Sequence, residues 1–131
     1  MRGIESAHLT TDAGIDLVAY SPKGVRLVTI QVKANRQPKP SGGKGSDALD
    51  WWVPASSPAD YVAFVDLSTQ SVWLLSQAEV AELAQQQSRG RYHLYMYTNK
   101  EAKPAKSGRL ALCHEFEPYL LQNRAVGVFG S

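Results

Sequence analysis

Apolar and polar positions alternate with period two along much of this chain. Between Val25 and Lys33, the residues Val28, Ile30 and Val32 fall on one side and Leu27, Thr29, Gln31 and Lys33 on the other. That spacing predicts a β-strand with one buried face. Ile15–Tyr20 reads as a strand before it, and Ser21-Pro22-Lys23-Gly24 supplies the turn, with Pro presetting φ and Gly permitting positive φ. The two strands form a hairpin. Tyr61–Asp66 and Ser71–Leu75 read as a second hairpin, and the near-continuous apolar run Tyr61–Val65 suits a strand covered on both faces.

The period then changes. Ser76-Gln77-Ala78-Glu79 has the Ser-x-x-Glu form of a capping box. It opens a predicted helix from Gln77 to about Gln87, with Val80, Leu83 and Ala84 at helical spacing, and Ser88-Arg89-Gly90 ends it. Tyr92–Tyr97 returns to alternation: Tyr92, Leu94 and Met96 on one face, His93, Tyr95 and Tyr97 on the other. The first face belongs to a core and the second is available for contact. Asp50–Pro54 and Arg109–Cys113 read as shorter ordered segments, and Glu117–Asn123 as a terminal helix with Pro118 in its first turn. Gln37–Ser46 has no apolar residue and reads as a mobile loop beside the end of the second strand. Within it, Gly42-Gly43-Lys44-Gly45-Ser46 lacks the upstream glycine of a phosphate-binding loop, and Gly45 separates Lys44 from Ser46.

At 131 residues and 44% hydrophobic composition, the chain has the size and makeup of one folded domain rather than a disordered segment. No apolar run approaches the ~20 residues of a membrane-spanning helix, and Met1–Asp16 has no apolar block of the kind a signal peptide needs. A single cysteine, Cys113, excludes an internal disulfide framework. These features predict a cytoplasmic protein with no membrane partner. The net charge of +2 identifies no partner, but its distribution is uneven. Lys33, Arg36, Lys39 and Lys44 occur without an acid among them, and Arg89, Arg91, Lys100, Lys103, Lys106 and Arg109 share their segment with Glu101 alone. Two basic segments could clamp a polyanion, with Lys39, Lys44, Arg89 and Arg91 as candidate nucleic-acid contacts.

The chemistry concentrates in the first hairpin. Gln31 and Lys33 project from the same face, ~7 Å apart by strand rise. Asp16 is a carboxylate inside Ile15-Asp16-Leu17-Val18, and pairing around the Pro22-Lys23-Gly24 turn sets it level with Gln31 and Lys33. A carboxylate within an apolar strand calls for a partner, a metal or a functional role. Carboxylate, amide and amine on adjacent strands suit metal-dependent phosphodiester chemistry: oxygen donors for a hard cation such as Mg2+ or Mn2+, and an amine to position a water or stabilise developing charge. His8, His93 and His114 show no ligand spacing, and His93 reads as a packed, hydrogen-bonded residue. Cys113 and His114 are adjacent, so their side chains diverge. Trp51, Trp52, Tyr92, Tyr95 and Tyr97 read as core and rim, with base stacking the lesser reading.

Gly14-Ile15-Asp16-Leu17, a short turn, then Ile30-Gln31-Val32-Lys33-Ala34-Asn35 resembles the core of the PD-(D/E)xK, or restriction-endonuclease-like, superfamily, in the branches where the motif glutamate is replaced to give Asp…Gln-x-Lys. The later Asp60–Leu67 segment is similar to the strands after the motif in small members. The resemblance implies an α/β fold with a central mixed β-sheet flanked by helices, divalent-metal binding and DNA cleavage. By that match Asp16 is a metal ligand, Gln31 occupies the second-ligand position, the backbone carbonyl of Val32 faces the metal, and Lys33 is the catalytic lysine. Family members carry an N-terminal helix with a glutamate; only 15 residues precede Asp16, and Glu5 is the candidate remnant. The competing expectation is a catalytically inactive module of the same fold that binds nucleic acid or a protein partner, and a homodimer could complete the sheet or the site.

Overall fold

The structure, a computed structural model, describes residues 5–8, 17–20, 27–41, 46–98 and 110–124, with the backbone alone at 5–8, 17–20, 41 and 46. Its strands are β1 (Glu5–His8), β2 (Leu17–Tyr20), β3 (Leu27–Asn35), β4 (Lys39–Ser41), β5 (Ser46–Pro54), β6 (Tyr61–Asp66), β7 (Ser71–Ser76), β8 (Gln86–Ser88) and β9 (Arg91–Tyr97). A short helix, α1 (Gln77–Leu83), follows β7, and a 3-10 helix spans Cys113–Tyr119.

Two sheets form. The first has the order β1-β2-β3-β6-β7, and the second β4-β5-β9-β8. In the first, β1, β2 and β3 make an antiparallel meander, β6 joins β3 in parallel, and β7 returns antiparallel. The expected mixed sheet is present. Its flank differs from the helices that the resemblance implies, because the crossover from β3 to β6 carries β4 and β5, and the molecule is accordingly richer in strand. The parallel pair needs a long crossover, and here the crossover supplies half of a second sheet.

The alternation in each strand decides what fills the space between the sheets. Leu49, Trp51 and Val53 from β5, Leu94 and Met96 from β9, and Val62, Phe64, Trp73 and Leu75 from β6 and β7 are all buried in one cluster, which Val80 of α1 and Phe116 close. Trp51 packs against Phe64 and Trp73 with ring centroids 5.1 and 6.1 Å apart. The other face of the first sheet has its own smaller cluster, Val28, Ile30, Ala63 and Leu74, with Leu121 packed on it. β6 therefore faces apolar neighbours on both sides, as its continuous apolar run requires.

Several predicted elements differ in extent. The hairpin expected from Ile15 to Lys33 is seen as β2 and β3, closing at Tyr20↔Leu27. Part of the expected loop Gln37–Ser46 is strand, because Lys39–Ser41 pairs with Ser46–Ala48. The capping box forms as read: Glu79 N–H donates to Ser76 Oγ at 3.1 Å, and Ser76 N–H donates to Glu79 Oε1 at 2.8 Å. α1 nevertheless ends at Leu83, because Ala84 is extended and the chain turns to pair with β9. Gln85 makes the exchange possible. Its Nε2 donates to Tyr95 O and Leu110 O at 2.8 Å, and its Oε1 accepts from Tyr95 N–H at 3.0 Å. One side chain thus satisfies backbone groups that a helix residue would leave unpaired. β8 and β9 join through Arg89 (φ 51°) and Gly90 (φ 75°), two consecutive positive-φ residues of the kind a two-residue hairpin with type I′ twist requires. The expected strand Arg109–Cys113 is reduced to a bridge between Leu112 and Tyr97, with Arg109 outside the described residues. The expected terminal helix is split: after the 3-10 helix, Leu120 is extended and bridges Trp73, and residues 121–124 make one further turn.

Candidate active site

β3 presents Thr29, Gln31, Lys33 and Asn35 on the face turned toward the second sheet, opposite Val28, Ile30 and Val32. That face is a seam between layers. Gln31 is 6% exposed and Lys33 is half-buried. Burying an amide requires a partner, and Ser57 supplies it: its hydroxyl donates to Gln31 Oε1 at 2.9 Å. Ser57 lies in the connection from β5 to β6, in a turn closed by Ser57 N–H donating to Pro54 O at 3.1 Å.

Two more contacts fix the seam. Asn35 Nδ2 donates to Asp50 O, and Asp50 N–H donates to Asn35 Oδ1, each at 2.9 Å, which pins β5 across β3. Asp60 Oδ2 accepts from Thr29 N–H at 3.0 Å and from Thr29 Oγ1 at 3.1 Å, while Asp60 N–H donates to Thr29 Oγ1 at 2.9 Å. The start of β6 is thereby set against β3, where Ile30 pairs with Tyr61.

The predicted site residues fall into separate groups. Gln31 and Lys33 are together on one face of β3. Val32 lies between them with its side chain on the opposite face, against the smaller apolar cluster. Asp16 lies outside the described residues; the described β2–β3 ladder reaches Leu17↔Ile30. Glu5 is in β1, a strand paired to β2, where a helix would stand in the resembled family. Lys39 and Arg91 are exposed and lie on the outer face of the second sheet, away from Gln31 and Lys33. Arg89 is exposed in the β8–β9 turn, and Lys44 is outside the described residues. Among the described residues, no three His, Cys, Asp or Glu side chains gather closely enough to hold a metal ion.

The outer face of the second sheet holds a polar and aromatic row. His93 Nε2 contacts Asp50 Oδ2 at 2.9 Å and His93 Nδ1 contacts Gln86 Oε1 at 3.1 Å. The imidazole stacks on Trp52 at 4.2 Å and 2°, and the Arg91 guanidinium lies 4.8 Å from the Trp52 ring on the same row. Tyr95 and Tyr97 continue it with ring centroids 5.5 Å apart. Burial, reinforced by Tyr97, pushes the Tyr95 hydroxyl above its ordinary value. A cavity of about 390 Å³ opens here between β4 and these rings. The expected packed, hydrogen-bonded His93 is what the structure shows. Burial and then the Asp66 carboxylate push the Cys113 thiol up, which disfavours its reactive thiolate form.

Sequence reading passed over Ser57, Asp60 and the Asp50–His93 pair. The signal for the last was present: Leu49, Trp51 and Val53 alternate with Asp50 and Trp52, as Leu94 and Met96 do with His93 and Tyr95. Nothing local marks Ser57.

Among solved structures, the chain is similar to a bacterial homing endonuclease, I-Ssp6803I, with a TM-score of 0.52 at 15% identity over 95% of this chain and 76% of that one. The likeness is one of fold. No protein-family model and no curated protein sequence matches the chain. Among the described residues no helix is long and apolar enough to cross a membrane.

Proposed function

We propose that this chain is a divalent-metal-dependent nuclease of the PD-(D/E)xK type in its Asp…Gln-x-Lys form, hydrolysing phosphodiester bonds in DNA. The observation that carries the reading is Gln31: a buried amide on the β3 face that also presents Lys33, in a fold shared with a homing endonuclease. A polar side chain kept at a buried strand position needs a reason beyond packing.

The residues present fit a hard cation in kind. Gln31 Oε1 is a carbonyl oxygen with two lone pairs, so accepting from Ser57 leaves one for a metal. The backbone carbonyl of Val32 is a second oxygen donor. Both are neutral, so the anionic ligand is Asp16. It directly precedes Leu17, which pairs with Ile30 of β3, the residue before Gln31. A bound Mg2+ or Mn2+ would polarise the phosphate and acidify a water. Lys33 would hold that water or meet the charge growing on the phosphoryl oxygens. Ser57 would fix the orientation of the Gln31 amide.

One observation favours the second reading, a non-catalytic module of the same fold: the Gln31 oxygen already has a protein partner in Ser57. Cleavage assays decide between them. With Mg2+ or Mn2+ the wild-type protein should cut DNA, Lys33→Ala should lose at least about 100-fold in rate with an unchanged circular dichroism spectrum, and Asp16→Asn should lose cleavage and metal dependence together. A wild type that cuts no nucleic acid with either ion would leave the binding module.

A further inference from the structure

Of the cations expected to bind nucleic acid, Lys39 and Arg91 lie on the outer face of the second sheet, away from Gln31 and Lys33, and Lys39 lines a cavity there. That cavity holds about 390 Å³, within the roughly 300–1,000 Å³ of ligand pockets. Its walls combine what an unpaired nucleotide needs. Tyr95 and Tyr97 offer ring surfaces, tilted 74° to one another with centroids 5.5 Å apart, and Pro40 also lines the opening. Asp50, whose side chain is 48% exposed, and His93 place polar atoms inside the same space. Lys39 stands at the β4 edge.

The rings are not equivalent. Trp52 has His93 stacked on it and the Arg91 guanidinium over it, so it positions the others and is not free to stack. His93 is held by Asp50 and Gln86. Tyr95 and Tyr97 are the half-buried rings that line the opening. The Tyr95 phenol is neutral near pH 7, and burial raises its hydroxyl further, so it adds no negative charge beside a phosphate.

We propose that this pocket on the outer face of the second sheet takes one unpaired base of a nucleic-acid strand, stacked on the Tyr95 ring with Tyr97 at its edge, with Asp50 and His93 at the base edge and Lys39 on the adjoining phosphate. This rests on the nuclease reading for the choice of polyanion and deepens it by naming the form of the strand. A paired base keeps its faces within the duplex stack, so a ring-lined cavity selects bases that are single-stranded or turned out of the helix. Charge complementarity agrees: Lys39 is exposed at the pocket, Arg91 is exposed on the same sheet face, and the one carboxylate lining the pocket, Asp50, is engaged by His93.

The test measures binding in EDTA, so it does not depend on the proposed metal site. Fluorescence anisotropy follows a labelled single-stranded oligonucleotide, the same sequence as duplex, and competition by a free nucleoside monophosphate. Wild type should bind the single strand in preference to the duplex. Base–aromatic stacking is worth about 1–3 kcal/mol by alanine substitution, so Tyr95→Ala should weaken single-strand binding by roughly 5- to 150-fold, while Tyr95→Phe retains it. Lys39→Ala should lower the salt slope by about 0.7. Thermal melts confirm that each variant is folded; should Tyr95→Ala fail to fold, Tyr97→Ala takes its place. Equal or tighter binding of the duplex, unchanged binding by the alanine variant, or a free nucleotide competing as well as the strand would each overturn the proposal. The nuclease reading fails separately, by an absence of cleavage in Mg2+ and Mn2+, and that result leaves a single-strand preference standing.

Discussion

Gln31→Glu probes the candidate site through stability, without relying on turnover. In EDTA the change places a carboxylate where the native side chain is 6% exposed. The Ser57 hydroxyl, 2.9 Å from the present amide oxygen, still donates to it. The nearest expected counter-charge is Lys33, ~7 Å along the strand. One hydroxyl and one distant amine do not replace the water around a buried charge, so the variant should lose about 1–3 kcal/mol. For a chain of this length that is a fall in Tm of roughly 4–12 °C. Burial raises the folded-state pKa of the new acid above its unfolded value. For a carboxylate that sign means destabilisation above the unfolded pKa, relieved as pH falls through the folded one. Mn2+ should reverse the loss, because a second carboxylate ligand tightens the site. A ligand at 100 times its Kd stabilises the native state by about 2.7 kcal/mol, so saturating Mn2+ should raise the variant's Tm more than that of wild type. Thermal melts in EDTA and across an Mn2+ titration, with calorimetry for the heats, read both effects. If Mn2+ leaves both proteins unmoved, the metal assignment is wrong. If the EDTA melt does not fall, position 31 is not the enclosed position described.

Asn35→Ala removes both hydrogen bonds that pin β5 across β3 and leaves the Asp50 backbone groups unpaired; a loss of about 1–3 kcal/mol in urea unfolding is expected, and an unchanged midpoint would show that the sheets are held by the apolar seam alone. Glu115 is held below the ordinary glutamate value by the Leu112 N–H, which donates to it at 2.8 Å, and then by the Ala111 N–H at 3.1 Å. A depressed carboxylate adds stability above its unfolded pKa and loses it as pH falls through the folded value. Glu115→Gln should therefore flatten the acid limb of stability against pH below the ordinary glutamate range, and urea titrations with the same acid slope in both proteins would contradict that origin.

The core was legible because each buried strand carries its own period. Val28, Ile30 and Val32 were separated from Gln31 and Lys33 by alternation alone, and the structure keeps that division. The same rule set Leu94 and Met96, both fully buried, apart from His93, Tyr95 and Tyr97. The capping box at Ser76 was equally readable, because its hydrogen bonds close within four residues.

β4 and β8 were not legible. Lys39 and Pro40 of β4 are exposed, and Gln86-Gln87-Ser88 of β8 is exposed throughout, so among the described side chains neither segment buries one that sequence could register. They are strands because their backbones meet β5 and β9, and a ladder hydrogen bond leaves no mark in the side-chain pattern of the segment that makes it. The same limit applies to the sites. Sequence identified Gln31 and Lys33 as neighbours, since strand geometry fixes residues two apart. Only the folded chain could bring Ser57 to Gln31, 26 positions away, or Asp50 to His93, 43 positions away. It also decided that the strand holding Lys39 would carry that cation to the outer face of a second sheet, because which face a paired strand presents depends on its partner's register.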